Sequence, residues 1–219
     1  PVEKEVKEDS TGNWGEENTA EIGDTVEFKT TITAKKGAQS YELHDVMSKG
    51  LTLNANSIKV QVNDTDLPAQ HYTVKTTGLT DGCAFEIEFA QSYLDTIAAD
   101  TDIVVTYTAV VNEDVEVFDV PNTNKTKLKF GDEHRDETTT YKVDVVKTDG
   151  SNEVLDGAQF KLYDAETGGN EIKLVDEGNG VYRLANDGET GVEYITTVNG
   201  QLEIKGFDAF TNYYLEETK

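Results

Sequence analysis

The chain has 219 residues, of which 43 are acidic and 19 are basic, so its formal net charge is −24. A surface this acidic repels phosphate backbones, which argues against a nucleic-acid partner. No run approaches the roughly 20 apolar residues that a membrane-spanning helix needs. Ten tyrosines and eight phenylalanines argue against disorder. The single cysteine, Cys83, excludes an internal disulfide, which leaves a cytosolic protein or an extracellular one stabilised in another way.

Alternation of apolar and polar residues marks several strands along the chain. The clearest segments are residues 25–29, 57–62, 85–89 and 103–107. Period-two alternation predicts half-buried strands of antiparallel sheets. The turn dipeptides that separate such segments are Lys49-Gly50, Asn63-Asp64, Asp81-Gly82, Asp149-Gly150 and Asn199-Gly200. One short helix is predicted near Ser92–Ala98. The pattern predicts an all-β protein built from sandwiches.

A polar run without an apolar anchor, residues 131–138, is typical of a domain junction. It predicts two tandem β-sandwich domains, residues 1–137 and 138–219. The sequence begins at Pro1 without a methionine or signal peptide, and it ends at Lys219 within a strand-like pattern. We therefore interpret the chain as a fragment of a longer protein.

The sequence offers no pattern for multiple-turnover chemistry. The three histidines, His44, His71 and His134, lack metal-ligand spacing with one another or with the cysteine. A phosphate-binding loop and a nucleophile elbow are both missing from the sequence. We therefore predict that the protein is not an enzyme and has no cofactor and no metal site. Cys83 is in phase with the apolar residues of 85–89, which predicts a small core residue.

Three polar side chains share strand faces with apolar residues. The sets are Lys4 with Val2 and Val6, Asp45 with Tyr41 and Leu43, and Asn124 with Leu128 and Phe130. A lone buried charge loses several kcal/mol of solvation. The three side chains are therefore expected to meet in the core.

Such a meeting permits a self-crosslink. A buried amine favours its neutral, nucleophilic form, and a buried carboxyl favours its neutral acid form. The amine of Lys4 can attack the side-chain carbonyl of Asn124 while Asp45 polarises it and moves protons. Ammonia leaves, and a Lys–Asn isopeptide bond remains. The simpler alternative is a buried Lys4–Asp45 salt bridge with a hydrogen-bonded Asn124.

A family resemblance over about residues 1–135 favours the crosslink. The motifs that carry it are IGDTV (22–26), YELHDVMSKGL (41–51), VVTYTA (104–109) and NTNKTKLKF (122–130). They resemble the isopeptide-forming middle domain of Gram-positive backbone pilins, a collagen-adhesin A-like sandwich. In that family the Lys comes from the first strand, the Asn from the last and the Asp from an early strand, positions that Lys4, Asn124 and Asp45 match.

Several alternatives for these positions stay open at the sequence level. Asn122 has the same strand phase as Asn124 and is the second candidate for the crosslinked amide. Lys7 is the second candidate for the amine, although its alternation points outward. Glu86 and Glu88 are weaker alternatives to Asp45, because both are out of phase with the apolar residues of their strand.

The second domain resembles the collagen-adhesin B-type module of the same pilins. Its motifs are YKVDVVKTD (141–149), LDGAQFKLY (155–163) and YYLEETK (213–219), the last similar to a glutamate box. The resemblance implies Lys147 as the amine and Glu217 as the acid. It places the Asn partner on a further strand after an Ala-Pro-x-Gly-Tyr turn. This sequence has no matching Asn, so the domain is predicted to be C-terminally truncated.

The resemblance implies a structural role: a backbone subunit of a covalently polymerised pilus, anchored to the cell wall of a Gram-positive bacterium. Its partners would be neighbouring pilin subunits and a pilus-specific sortase. Neither the pilin-motif lysine nor a Leu-Pro-x-Thr-Gly sorting signal is in the sequence. The alternative is a surface adhesin that binds a host matrix protein or glycan, with Trp14 as its one aromatic candidate.

Overall fold

The computed structural model describes residues 1–117, 120–129 and 133–219, with only the backbone described for 133–137, and its regular structure is nearly all β. The chain divides into two compact units. The N-terminal unit comprises Pro1–Asn18, Thr25–Val110 and Asn122–Thr138, and the C-terminal unit comprises Thr19–Asp24, Val111–Pro121 and Thr139–Lys219. The domain division after residue 137 stays a prediction. The sequence did not predict that the segments Thr19–Asp24 and Val111–Pro121 cluster with the C-terminal unit.

Two six-stranded sheets build the N-terminal unit. The first has the order β2-β1-β4-β10-β6-β7, with the strands β1 Val2–Lys7, β2 Trp14–Gly15, β4 Thr25–Ala34, β6 Leu51–Val62, β7 Thr65–Asp66 and β10 Thr101–Val111. The second has the order β3-β12-β11-β5-β9-β8, with the strands β3 Glu17–Thr19, β5 Glu42–Met47, β8 Tyr72–Lys75, β9 Phe85–Phe89, β11 Asn122–Lys129 and β12 Glu133–Thr139.

The predicted alternation is confirmed in these strands. All four predicted segments lie inside strands, namely β4, β6, β9 and β10. Strand β9 buries Phe85, Ile87 and Phe89 and turns the glutamates between them outward. Each such side chain contributes about 1.5–3 kcal/mol through burial of apolar surface. The inward faces of the two sheets therefore form one core between them.

Two of the predicted turns have the backbone that tight hairpins need. Asn63 and Asp64, between β6 and β7, have φ values of 50° and 59°. Asn199 and Gly200 have φ values of 53° and 74°. Both central residues of a type I′ turn require positive φ, which asparagine, aspartate and glycine tolerate best.

Two sequence expectations for the N-terminal unit differ from the structure. The helix α1 spans only Gln91–Leu94, and Ala98 is exposed. The residues that follow, Asp95 and Thr96, have low helix propensity, so the helix ends there. Most of the polar run predicted as a junction lies in β12, which pairs with β11 from Glu133 to Thr138. Backbone hydrogen bonds, rather than apolar alternation, define that strand. A 3₁₀ turn, Ala69–His71, completes the helical structure of the described residues.

The C-terminal unit has two four-stranded sheets. One has the order β13-β19-β17-β16, with the strands β13 Tyr141–Val146, β16 Leu174–Gly178, β17 Val181–Leu184 and β19 Gln201–Phe207. In the other, β14 Gln159–Tyr163 pairs with β15 Glu171–Ile172, β18 Ile195–Thr196 and β20 Tyr214–Glu217. The pairing of β17 with β19 is parallel. The core of the unit is formed by Phe160, Leu162, Leu174, Tyr182, Leu184, Ile195, Leu202, Ile204 and Phe207.

A bidentate ion pair anchors β17 in the C-terminal unit. The buried Arg183 guanidinium donates to both carboxylate oxygens of Glu189, each at 2.7 Å. These hydrogen bonds from Arg183 lower the pKa of Glu189 from 4.5 to about 2. Because the pKa of Glu189 is lower in the folded state, the ion pair stabilises the unit fully at pH values above 4.5, the ordinary pKa of the group. That contribution is lost as the pH falls through about 2.

Replacing Glu189 with Gln is expected to lower the free energy of unfolding at pH 7 by about 1–2 kcal/mol, less than a fully buried pair because Glu189 is partly exposed. Hydrogen exchange of the β17 amides, measured at pH 7 and pH 3, reports this change. The variant should lose less protection than the wild type between the two pH values. The exposed Glu193→Gln serves as the control. If the protection of the β17 amides changed with pH in the same way in Glu189→Gln and in the wild type, the ion pair would not stabilise β17.

Candidate functional site

The three predicted polar residues lie together between the sheets of the N-terminal unit. Lys4 in β1 is 1% exposed, and Asp45 in β5 and Asn124 in β11 are both 0% exposed. Asp45 lies opposite Thr126 in the pairing of β5 with β11. Asn124 is two residues from Thr126, so it is the diagonal neighbour of Asp45 on the same face. Lys4 reaches them from the facing sheet.

One oxygen of Asp45 accepts hydrogen bonds from three donors. Lys4 Nζ lies 2.9 Å and Thr126 Oγ1 lies 2.7 Å from Asp45 Oδ2, and the Tyr107 hydroxyl donates to the same oxygen. Lys4 Nζ also donates to Thr126 Oγ1 at 3.1 Å. Burial of a charged pair is tolerated only with such additional hydrogen bonds. The arrangement holds the amine within a fixed position beside the carboxyl.

Tyr107 connects all three residues. Its hydroxyl oxygen accepts from Lys4 Nζ, and it accepts from Asn124 Nδ2 at 3.1 Å. Complete burial, followed by the nearby charge of Asp45, holds the pKa of Tyr107 well above its usual value of 10. The phenol therefore stays protonated and remains a donor to Asp45. It positions the Asn124 amide next to the amine and the carboxyl.

Aromatic rings enclose the cluster. The Tyr107 ring stacks on Phe28 with a centroid separation of 5.6 Å and meets Phe85 edge-on at 4.8 Å. Lys4 Nζ lies 4.8 Å from the Tyr107 centroid and 5.2 Å from that of Phe28. Such walls exclude water and strengthen electrostatic interactions inside the site.

Two acceptor oxygens of the cluster have no hydrogen-bond partner among the described residues. They are Asp45 Oδ1 and Asn124 Oδ1, both buried. Leaving a buried acceptor unsatisfied costs about 1–3 kcal/mol. A protonated Asp45 would be a donor at a site where an amide carbonyl needs one. The cluster thus contains an amine, an amide carbonyl and a carboxyl positioned to carry a proton.

The sequence alternatives occupy other places. Lys7 is on the outer face and pairs with Glu27 at 2.9 Å, as its phase predicted. Glu86 and Glu88 are also on an outer face, where Glu88 pairs with Lys75 at 3.4 Å. Asn122 is buried two residues before Asn124, so the choice between the two amides stays a prediction.

The strand position predicted for Asn124 needs correction, and the predicted placement of Phe130 cannot be compared with the structure. Strand β12 follows β11 and pairs with it, so Asn124 is not in the last strand of its unit. Phe130, which was placed on the face of Asn124, lies outside the described residues.

Three further polar residues of the cluster were not predicted from the sequence: Tyr107, Thr126 and Thr30. Thr126 lies between Asn124 and Leu128 in the same phase, and its hydroxyl lies 3.3 Å from that of Thr30. Tyr107 shares the inward phase of β10. A tyrosine or threonine hydroxyl on a core face needs a polar partner. The inward phase of Tyr107 and Thr126 in the sequence could therefore have indicated that they join the cluster.

The second predicted pair also meets, in the C-terminal unit. Lys147 Nζ lies 2.9 Å from Glu217 Oε2, with the two side chains 27% and 44% exposed. The sequence placed both on core faces, but Val143 and Leu215 on those faces are also exposed. Strand β13 is at the edge of its sheet, so its apolar face is only partly covered. The roles of Lys147 and Glu217 in a crosslink stay predictions.

The expectation for Cys83 is wrong. It precedes β9 and is half-buried beside His44 and Asp81 instead of lying in the core. Burial, followed by its hydrogen bond to the Asp81 carboxylate, raises the pKa of the Cys83 thiol to about 12. Period-two phase failed here because the strand begins only at Phe85.

The comparisons with known proteins agree with this architecture. Residues 141–219 match the family model described as the SpaA prealbumin-like fold domain.

Three solved structures are similar over 100% of the chain. The pilus backbone RrgB from Streptococcus pneumoniae has 14% identity, 89% of its own chain covered and a TM-score of 0.72. The major pilin GBS80 of Streptococcus agalactiae, a C-terminal fragment, has 19% identity, 85% covered and a TM-score of 0.69. The major pilin SpaA of Corynebacterium diphtheriae has 16% identity, 60% covered and a TM-score of 0.66.

These matches define the class of fold. The chain has the all-β fold of the solved major pilins of Gram-positive bacteria, and the fold that the sequence resemblance implied is confirmed. The C-terminal match is described as prealbumin-like, whereas the sequence motifs pointed to a collagen-adhesin B-type module. No curated protein matches the chain. Within the described ranges, no helix has the length and apolar character needed to cross a membrane.

Proposed function

We propose that the chain is part of the structural backbone subunit of a Gram-positive surface pilus, stiffened by a self-formed Lys4–Asn124 amide. The observation that carries the proposal is the buried cluster in which Asp45 and Tyr107 bring the Lys4 amine and the Asn124 amide together. The fold similarity to backbone pilins supports the structural role. The solved structure of SpaA from Corynebacterium diphtheriae points to a modular pilus assembly with stabilising isopeptide bonds in that pilin.

The proposed reaction begins with proton transfer from Lys4 to Asp45, which leaves a neutral amine and a neutral carboxyl. Lys4 Nζ attacks Asn124 Cγ, while the Asp45 carboxyl hydrogen-bonds to Asn124 Oδ1. A proton passes from Nζ through Asp45 to Asn124 Nδ2, the C–N bond to Nδ2 breaks, and ammonia leaves. The product is a secondary amide between the two side chains. Each chain reacts once, so no turnover is involved.

A mechanical advantage follows from the strands that the amide joins. It would connect β1 of one sheet with β11 of the other. A pulling force on β1 would then pass through a covalent bond instead of separating β1 from β4 hydrogen bond by hydrogen bond. The bond also resists reduction, which suits an extracellular protein with one cysteine.

The partners proposed for this subunit are neighbouring pilins and a pilus-specific sortase, in a polymer anchored to the cell wall. In the C-terminal unit, Lys147 and Glu217 are proposed as the amine and acid of a second crosslink, whose Asn partner is not identified in this sequence. The contact between Lys147 and Glu217 supports that assignment.

The adhesin alternative has weaker support. Its aromatic candidate, Trp14, lies in β2 and pairs with β1 instead of standing in a loop. Its ring lies 4.5 Å from Lys29 Nζ and 5.7 Å from Lys7 Nζ. The indole is half-buried, and two lysine side chains lie over its ring, where a glycan would have to stack. The same lysines can stack on it as cation–π partners, which explains its position structurally.

Intact mass under denaturing conditions tests the crosslink. The wild-type chain is expected to be lighter than its sequence by one ammonia, about 17 Da, for each completed amide. Digestion should yield a linked peptide that joins Lys4 to Asn124. The matched control is Asn122→Ala, which should keep the deficit, whereas Asn124→Ala should lose it.

Other outcomes are equally informative. An unmodified wild-type mass would reduce the cluster to a hydrogen-bonded core and remove the mechanical argument. A deficit that disappears in Asn122→Ala but persists in Asn124→Ala would move the bond to Asn122.

A further inference from the structure

A second cluster of reactive side chains lies on the outer face of the second sheet of the N-terminal unit. It brings together His44 of β5, Glu86 of β9, and Asp81 and Cys83 of the segment before β9. One donor atom from each lies within 4.8 Å of all the others. The set combines an imidazole nitrogen, a thiol sulfur and two carboxylate oxygens. The isopeptide chemistry uses none of them.

Two of the four separations around His44 and Cys83 match the edges of a tetrahedral metal site, and the other two are shorter, at hydrogen-bond length. His44 Nδ1 lies 2.8 Å from Asp81 Oδ2, 3.4 Å from Cys83 Sγ and 3.5 Å from Glu86 Oε1. Cys83 Sγ lies 3.0 Å from Asp81 Oδ2. Zinc bonds of about 2.0–2.3 Å in a tetrahedron place neighbouring donors about 3.3–3.8 Å apart. Small side-chain rotations would therefore accommodate an ion at the centre.

The other ring nitrogen of His44 provides an independent argument. His44 Nε2 lies 3.5 Å from Glu42 Oε1, and Glu42 is held in turn by Lys129 at 2.9 Å. Metal-binding histidines commonly direct their second nitrogen to a carboxylate, which orients the ring and raises its basicity. His44 thus has a carboxylate beside its second nitrogen, at 3.5 Å rather than at hydrogen-bond distance. Its Nδ1 atom lies close to the other three donors.

The charges around the cluster are compatible with a divalent cation. His44, Asp81 and Cys83 face a surface cleft of about 450 Å³. The cleft is also lined by Lys125, Lys127 and Lys129. Lys129 is engaged by Glu42. Two carboxylates and a thiolate would carry three negative charges, which exceed the charge of a divalent ion. The neighbouring lysines would balance the remainder.

We infer that His44, Asp81, Cys83 and Glu86 form a binding site for a divalent metal ion of the zinc class. Borderline-soft ions prefer this mixture of nitrogen, sulfur and oxygen donors, whereas calcium and magnesium prefer oxygen alone. Binding converts the Cys83 thiol to a thiolate, and its proton is released to solvent. Spacing along the chain had predicted no metal site, because it does not show which distant residues meet. His44 and Cys83 lie on segments that only the sheet brings together.

Cobalt(II) titration of the whole chain tests this inference, because thiolate ligation gives a ligand-to-metal charge-transfer absorption. One equivalent of Co²⁺ should produce the band, and Zn²⁺ should displace it. Cys83→Ser should abolish the band while keeping a hydroxyl near Asp81. His44→Gln should weaken Zn²⁺ binding, measured by calorimetry, by at least about tenfold. Glu88→Gln, on the same strand and outside the cluster, should bind as the wild type does.

Circular dichroism of each variant checks that it folds. If His44→Gln does not fold, the test of the metal site rests on Cys83→Ser alone. Absence of a charge-transfer band in the wild type would overturn the site. Zinc binding that is unchanged in both Cys83→Ser and His44→Gln would also overturn it, since that result would indicate scattered surface carboxylates.

Discussion

Replacing Lys4 with Met is expected to lower the free energy of unfolding of the N-terminal unit by at least about 4–5 kcal/mol, the chain-entropy value for closing a loop of about 120 residues. Loss of the amine prevents the amide between β1 and β11. The substitution also leaves Asp45 buried without its cation, which adds to the loss. Guanidinium unfolding, followed by the fluorescence of Trp14 in β2, measures the change.

A double variant separates the two contributions. Lys4→Met combined with Asp45→Leu removes both charges, and replacing a buried ion pair by apolar residues is often neutral or stabilising. Any deficit that remains relative to the wild type then reports the lost covalent bond. Lys7→Met, on the outer face, should leave stability nearly unchanged. A double variant as stable as the wild type would contradict a stabilising crosslink.

The second large effect is expected from Asp45→Ala, which should slow amide formation by about 10²–10⁴-fold, the usual contribution of a general acid–base group. The variant keeps the Lys4 amine and the Asn124 amide. A loss of crosslinking would therefore reflect the missing proton transfer rather than a missing nucleophile.

A time course of intact mass after refolding measures this rate. Glu86→Ala is the matched control, because Glu86 was the sequence alternative to Asp45 and lies on the outer face. Its rate should equal that of the wild type. If Asp45→Ala acquired the mass deficit as fast as the wild type, Asp45 would have only a structural role.

Strand phase was sufficient to identify three of the polar residues of the candidate site. Lys4, Asp45 and Asn124 each interrupt an apolar face of a β-strand, and all three are buried in one cluster. Phase succeeded because successive side chains of a strand point to opposite faces. A charged residue at an inward position is costly unless it has partners.

Phase was insufficient where the partner lies on a distant strand. It could not show that Tyr107 of β10 connects Lys4 to Asn124, because that contact depends on how the two sheets face each other. It also placed Cys83 in the core, although β9 begins two residues later. Strand boundaries depend on backbone pairing, which a single segment does not contain.

The sequence by itself determined the all-β class, most strand positions, two tight turns and the inward direction of three polar side chains. These properties follow from local backbone preferences and from the two-residue period of a strand. Only the tertiary structure decided strand order. With it came the contacts of Tyr107 with Lys4 and Asn124 and the outer cluster around His44. Such contacts join residues that are far apart in the chain. The sheets that carry them are brought together by burial of apolar faces, and this force is non-directional, so a single segment does not show which other segment it will face.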